Sequence, residues 1–310
     1  MEQVLAVPLN LADRPRKTPW IVTWLTWPLI LVGGVGAVVA AMRMGGNVGA
    51  VSGAVVGAAI VLLVSLEMAF PLDRRWKMTW RSFFGRDLKY FIVGGGSIAA
   101  TNALFAAIGV VAGKGHVGPI SHWPIYLGVP ASILAVDFVQ YWQHRWSHEG
   151  RDPVARFLWS AHVAHHLPQQ VYVLMHPAGH PINGFIVRGL ATIIPLYVLG
   201  ASADVIVLTN LVIGLQGLVS HCNLDMRAGW FNRVFVGAEL HRYHHSADPA
   251  EGRNYAVCLS ILDQLFGTFV YRPDQPPARL GVDDPSAYPA SNEVHKVMLV
   301  PFLPRRAAEV

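Results

Sequence analysis

Two triplets of identical spacing mark this chain: His162, His165 and His166 in LWSAHVAHH, and His241, His244 and His245 in HRYHH. A third pair, His144 and His148, closes the stretch DFVQYWQHRWSH. On a helix, residues three and four apart share a face. Asp137, Tyr141, His144 and His148 therefore line one stripe, and each triplet forms a one-turn cluster. Imidazole is a ligand for zinc, copper, iron and nickel. Eight such rings on three helical faces exceed what one tetrahedral ion can use, so the pattern predicts a two-metal site. A lone histidine is ordinarily a hydrogen-bonded core or surface residue. With 14 histidines in 310 residues, two HxxHH triplets arise by accident in about one chain in a few thousand, and coincidence is a poor account of them.

The elements that must position these rings are apolar. The chain is 53% hydrophobic and 14% charged, with a mean hydropathy of +0.38, well outside the soluble range. Runs 20–41, 47–70, 90–112 and 123–143 are each long enough to cross a bilayer's hydrocarbon core. Runs 182–200 and 203–220, joined by GASAD, form a hairpin that spans the bilayer or enters it partway. The first run is too long for a signal peptide's apolar region and no small-residue cleavage site follows, so it is expected to stay as an anchor. The expected fold is an all-α integral membrane protein with about four transmembrane helices, a hydrophobic hairpin and a cytosolic, helical, histidine-rich di-metal cap. Its expected divisions are an N-terminal cytosolic tail (1–19), transmembrane helices (20–143) with an interfacial segment (71–89), a histidine-box region (144–271) including the hairpin 182–220, and a C-terminal tail (272–310).

Arg14, Arg16 and Lys17 precede the first span, and Arg74, Arg75, Lys77, Arg81, Arg86 and Lys89 follow the second. The opposite loops offer little beyond Arg43 and Lys114. The positive-inside rule then puts the N-terminus, segment 71–89 and the end of the fourth span in the cytosol, with every histidine box on that face. A net charge of +5 suits anionic lipid head groups. The basic residues cluster at span ends and not in an aromatic-interleaved groove, so no nucleic-acid partner is expected. Two cysteines, Cys222 and Cys258, allow no disulfide framework. Gly45, Gly49, Gly53 and Gly57 form a ladder in the second span. Such ladders let helix backbones approach closely, here within the monomer in preference to a homodimer contact.

HRWSH, HVAHH and HRYHH, in that order and after several spans, resemble the fatty acid hydroxylase/sterol desaturase superfamily of membrane di-metal oxygenases. The likeness runs from about 125 to 271. It includes the Asp-Phe-x-x-Tyr lead into the first box, Trp159 before the second, and the Asn-Tyr and Asp-x-Leu-Phe-Gly-Thr elements after the third. The resemblance implies that His144, His148, His162, His165, His166, His241, His244 and His245 bind two irons, with His221 as an additional ligand. Asp225 stands where some members carry a further histidine. His176 resembles a histidine of related bacterial-type sequences, whereas His180 is expected only to hydrogen-bond within its loop. Asp137, Asn254 and Asp263 become candidates to hold ligand imidazoles through the ring nitrogen not bound to metal.

The implied chemistry is O2-dependent hydroxylation, or desaturation by the same boxes, of a lipid or other membrane-dissolved apolar substrate. Breaking an unactivated C–H bond is beyond side-chain acids and bases, so the metals must carry it. No flavin, NAD(P)H or Cys-rich electron-transfer module is visible, and electrons are expected from an external ferredoxin, cytochrome b5 or reductase. The membrane expected is a bacterial inner membrane or the endoplasmic reticulum. Two other classes fit less well. A metal transporter would place its sites along the spans near the midplane. A zinc-dependent lipid hydrolase or isomerase needs only three protein ligands, although zinc can occupy such a site on purification.

Overall fold

The computed structural model describes residues 18–112 and 116–303. Arg14, Arg16, Lys17 and Lys114, and nearly all of the expected N-terminal tail, lie outside them. The described chain is helical, with no strand among the described residues and two isolated bridges, Pro71 to Leu224 and Ser246 to Leu280. Helices α1 (Trp20–Arg43) and α2 (Val48–Ala69) form a hairpin, and the Asn47 side chain starts α2 by accepting the Ala50 N–H at 2.9 Å. Trp80–Ser82, a wide turn at Phe83–Asp87 and Leu88–Ala112 run together as α3. Then come α4 (Ile125–Glu149) and, after a three-residue reversal, α5 (Pro153–His166). Asp152 makes that reversal possible by capping the Val154 and Ala155 N–H groups, with Pro153 in the first turn where no N–H is needed.

Pro181–Phe185, the π-helical Ile186–Ile193 and Ile194–Leu199 make up α6, which ends at Gly200 in the left-handed conformation (φ 66°). Helix α7 (Ala203–Ser220) starts on the Ser202 cap. Beyond it lie the short α8 (Ala238–His244) and α9 (Ile261–Leu265). Among the described residues, six stretches are long and apolar enough to cross a membrane: α1, α2, Arg74–Ile108, α4, α6 and α7. Both arms of the sequence-level hairpin meet that length. Helix α7 packs on α1, α2 and α4 and is the most enclosed of the six. A buried hydrogen bond from the Trp27 indole N–H to Gln216 Oε1 (3.0 Å) ties it to α1.

Segment 71–89 comprises a 3-10 turn at Arg74–Trp76 and the start of α3. Trp76 is buried with Leu72 against Tyr172 and Met175, and Trp80 onward extends α3, leaving Trp80 and Phe84 exposed. One expectation is corrected: the glycine ladder is not an intramonomer contact, because a Cβ on Gly53 or Gly57 would meet nothing within 4 Å. The close approach falls instead at Gly34 of α1, where a Cβ would lie 2.8 Å from Leu215 and 2.9 Å from Val55.

Candidate metal centre

Four segments bring the histidines to one end of the bundle. The last turns of α4 carry His144 and His148, α5 carries His162, His165 and His166, α7 ends at His221, and α8 with the residue after it carries His241, His244 and His245. The nine rings divide into two groups. His144, His148, His162, His166 and His244 form the first, and His165, His221, His241 and His245 the second. Within each, one nitrogen per ring lies within 4.8 Å of all the others. Each triplet serves both groups, but in opposite senses. The outer pair of the α5 triplet joins the first group and its middle ring the second, while the α8 triplet does the reverse. The groups adjoin, with the His166 and His245 ring centroids 4.7 Å apart.

Short nitrogen–nitrogen separations recur. Nε2 of His162 is 3.0 Å from Nε2 of both His144 and His166. In the second group, His221 Nε2 is 3.0 Å from Nε2 of His165 and of His241, and His241 Nε2 is 3.1 Å from that of His245. Nitrogens held about 2.1 Å from a shared ion at right angles stand about 3.0 Å apart. Four rings turn their other nitrogen to a backbone carbonyl: His144 to Tyr255 (2.8 Å), His165 to Ala178 (2.9 Å), His221 to Gly217 (2.8 Å) and His244 to Arg253 (3.1 Å). A carbonyl only accepts, so each Nδ1 carries the hydrogen and each neutral ring presents a bare Nε2 lone pair. Burial keeps the rings neutral. It pushes His165 down to about 4 and His162, His166, His221, His241, His244 and His245 well below the usual imidazole range. Lone pairs facing each other at 3.0 Å repel unless a cation lies between them. Nε2 of His148 and of His244 is likewise buried with no hydrogen-bond partner. The donor set, all imidazole, fits a pair of first-row transition metals.

The carboxylates take a part other than the one expected of them. Asp137 accepts the N–H groups of Val257 (2.8 Å), Cys258 (3.1 Å) and Leu259 (2.5 Å). Asp263 accepts those of Tyr255 (2.7 Å) and Ala256 (3.2 Å) and the Thr268 hydroxyl (2.7 Å). Neither bonds an imidazole. Together they clamp the 255–259 turn, whose Tyr255 carbonyl orients His144. Asn254, in the left-handed region at φ 60°, donates to the Leu240 and Val270 carbonyls and accepts the Val270 N–H, tying α8 to the segment after α9. His176 lies beside the second group and not within it, its ring edge-on to His221 at 4.6 Å. His180 accepts the Ile182 N–H and pairs with the Met298 carbonyl (3.0 Å). Asp225 is engaged by Arg227 (3.1 Å), in neither group. Cys222 and Cys258 are buried and free.

Sequence reasoning missed the four orienting carbonyls, since a backbone oxygen leaves no trace in residue type. It also left Tyr255 without a site role, although its ring centroid lies 5.3 Å from that of His148. Trp159, named only as part of a motif, packs 4.7 Å from the same ring and donates its indole N–H to the Tyr288 hydroxyl.

Residues 129–268 match the family model described as Fatty acid hydroxylase. The chain is 32% identical over 266 residues to the ornithine lipid hydroxylase OlsE of Rhizobium tropici, covering 82% of this chain and 77% of that protein. It is 28% identical to methylsterol monooxygenase 2-2 of Arabidopsis thaliana over 47% of this chain and 54% of that one. It is also 28% identical to the alkylglycerol monooxygenase of Danio rerio, over 46% and 31% of the two lengths. No solved structure matches the chain.

Proposed function

Since the chain belongs to the fatty acid hydroxylase family and is a lipid oxygenase, we propose that it is an O2-dependent hydroxylase holding two iron ions, one in each histidine group. The observation that carries this reading is the set of Nε2 lone pairs converging at 3.0 Å in both groups. When bound, the metal pair supplies activation of O2 and cleavage of an unactivated C–H bond. The reaction inserts one oxygen atom into that bond and releases the other as water, consuming two protons and two electrons. The electrons come from an external ferredoxin, cytochrome b5 or reductase. Loss of a second hydrogen in place of oxygen return would give a desaturase.

The protein's own work is positioning. The carbonyls of Tyr255, Ala178, Gly217 and Arg253 fix ring orientation and tautomer, and Asp137 and Asp263 hold the turn that carries one of them. Four and five imidazoles per group are a surplus over the three ligands of a catalytic zinc. Seven of the nine rings lie beyond the candidate spans, unlike the midplane sites of a transporter. By the positive-inside rule, the basic residues after α2 support a cytosolic position for this end of the bundle, in a bacterial inner membrane or the endoplasmic reticulum.

The test is direct. Iron-loaded protein in membranes, given a reductant and a lipid extract, consumes O2 and yields lipid heavier by one oxygen atom. His165→Ala inserts normally and does neither. Metal-dependent lipid hydrolysis without O2 uptake would replace the oxygenase with a hydrolase.

A further inference from the structure

Helix α2 carries no histidine, yet it holds one ionisable side chain, Glu67, buried two residues before its end. An acid within an apolar span is rare, faces the bundle interior and has a partner there. The partners of Glu67 are two backbone donors from distant parts of the chain. Its Oε1 accepts the Val173 N–H at 3.0 Å and the Asn223 N–H at 2.6 Å, and its Oε2 lies 3.4 Å from the Val173 nitrogen. Both donor residues are buried.

Each donor leads to a ring of the second histidine group. From Val173 a run of hydrogen-bonded turns reaches Ala178: the His176 N–H meets the Val173 carbonyl (3.1 Å), and the Ala178 N–H meets the Met175 carbonyl (2.8 Å). The Ala178 carbonyl then takes the His165 Nδ1 hydrogen (2.9 Å). Asn223 stands two residues after His221, whose Nε2 is 3.0 Å from that of His165. The segment just after α2 is tied to the same asparagine. The Leu72 N–H donates to the Asn223 carbonyl (2.9 Å), and the Asn223 side chain accepts the Asp73 N–H (3.0 Å) and donates to the Asp73 carbonyl (2.9 Å). Among the described residues, Glu67 has no hydrogen bond to α4, α5 or α8, which carry the rings of the first group.

On the two-metal reading above, we propose that Glu67 is a positioning residue for the second metal. It fixes the spacing between the Ala178 loop and the His221 segment, and through them the approach of His165 to His221. An ionised carboxylate accepts both N–H groups and brings no donor of its own. Outer partners of this kind hold the direction of a ligand without touching the ion.

The full chain in lipid nanodiscs, titrated with Zn(II) against a chromogenic chelator, tests this in two backgrounds. His165→Ala leaves the first group to bind, and His144→Ala with His162→Ala leaves the second. Glu67→Leu, which removes both acceptors at similar volume, is expected to weaken Zn(II) about 10- to 100-fold where only the second group binds. It should leave the affinity unchanged where only the first group binds. Glu67→Gln, whose amide oxygen can accept both N–H groups, recovers most of the loss. Where Glu67→Leu fails to insert, Glu67→Asp, which keeps the charge and draws the oxygens back by one methylene, must show the same selective weakening. Equal weakening in both backgrounds, none in either, or a Glu67→Gln variant as weak as Glu67→Leu would overturn the proposal. Ion counts other than two in the unsubstituted chain and one in each background would instead remove the two-metal reading. Hydrogen exchange of the metal-free chain then decides what Glu67 holds: Glu67→Leu must speed exchange at 173–178 and 221–224 more than at 255–259, and a uniform change would overturn its positioning role.

Discussion

Nε2 of His165 and Nε2 of His221 stand 3.0 Å apart, although each ring gives its Nδ1 hydrogen to a carbonyl, of Ala178 and Gly217 respectively. Two neutral rings so engaged have no hydrogen left to share. A cation is the group that relieves the contact, and the second histidine group is its place. Replacing either His165 or His221 by alanine is therefore expected to lower metal content from two ions per chain toward one, by elemental analysis, and to abolish O2 uptake. A His180→Ala variant, which loses only loop hydrogen bonds, should keep both ions. Two ions and full turnover in His165→Ala would remove the ligand assignment.

Asp137 is expected to matter through the backbone. Its carboxylate accepts three consecutive N–H groups at 257–259, and each buried donor left without a partner costs about 1–3 kcal/mol. Asp137→Ala should lower the thermal midpoint. It should also loosen the first histidine group more than the second, because the same turn carries the Tyr255 carbonyl on His144. Dialysis against a weak chelator separates the two effects. Equal loss from both groups would mean that Asp137 acts on the whole fold and not on this ring.

Acid should destabilise the metal-free protein over a defined window. Burial holds His165 and His176 down to about 4, against an ordinary 6.5. Between those values the unfolded chain binds protons that the folded chain does not, so stability falls as pH drops below about 6.5 and continues to fall toward 4. Above 6.5 both states hold neutral rings and the effect vanishes. Thermal midpoints of chelator-treated protein should be flat from pH 8 to 7 and decline from 6.5 downward. A flat profile through pH 5 would show that these rings are not buried without metal.

The glycines offer a paired comparison. Gly34→Leu places carbon atoms into Leu215 and Val55, where α1, α2 and α7 meet, and Gly53→Leu enters open space. The first is expected to lower stability in detergent by about 1–3 kcal/mol, the usual range for overpacking. The second should change it little. The reverse ranking would show that the ladder, and not Gly34, is the packed face.

That comparison also shows where the sequence stops being informative. Six apolar stretches and the histidine spacing were legible because length and helical period are written in residue order. The HxxHH pattern announces three rings on one turn. It does not announce that the middle ring of each triplet crosses to the other group, which depends on how α5 and α8 face each other. A glycine ladder has the same spelling whether a neighbour covers it or lipid does. The carboxylates at 137 and 263 were visible as candidates, but their partners are backbone N–H groups brought close by the fold.

The unequal size of the groups sets a last expectation. His241 Nε2 lies 3.0 Å from His221 and 3.1 Å from His245, at the middle of a group of four. Its removal leaves three rings. His148 belongs to a group of five, so its removal leaves four, the number the second group has. His241→Ala should lose an ion, whereas His148→Ala should retain two and bind the first-group ion less tightly. Metal content after gel filtration, followed by competition with a chromogenic chelator, separates these outcomes. Loss of an ion from His148→Ala as complete as that from His241→Ala would mean that the fifth ring is a required ligand and that the two metals sit in unlike coordination.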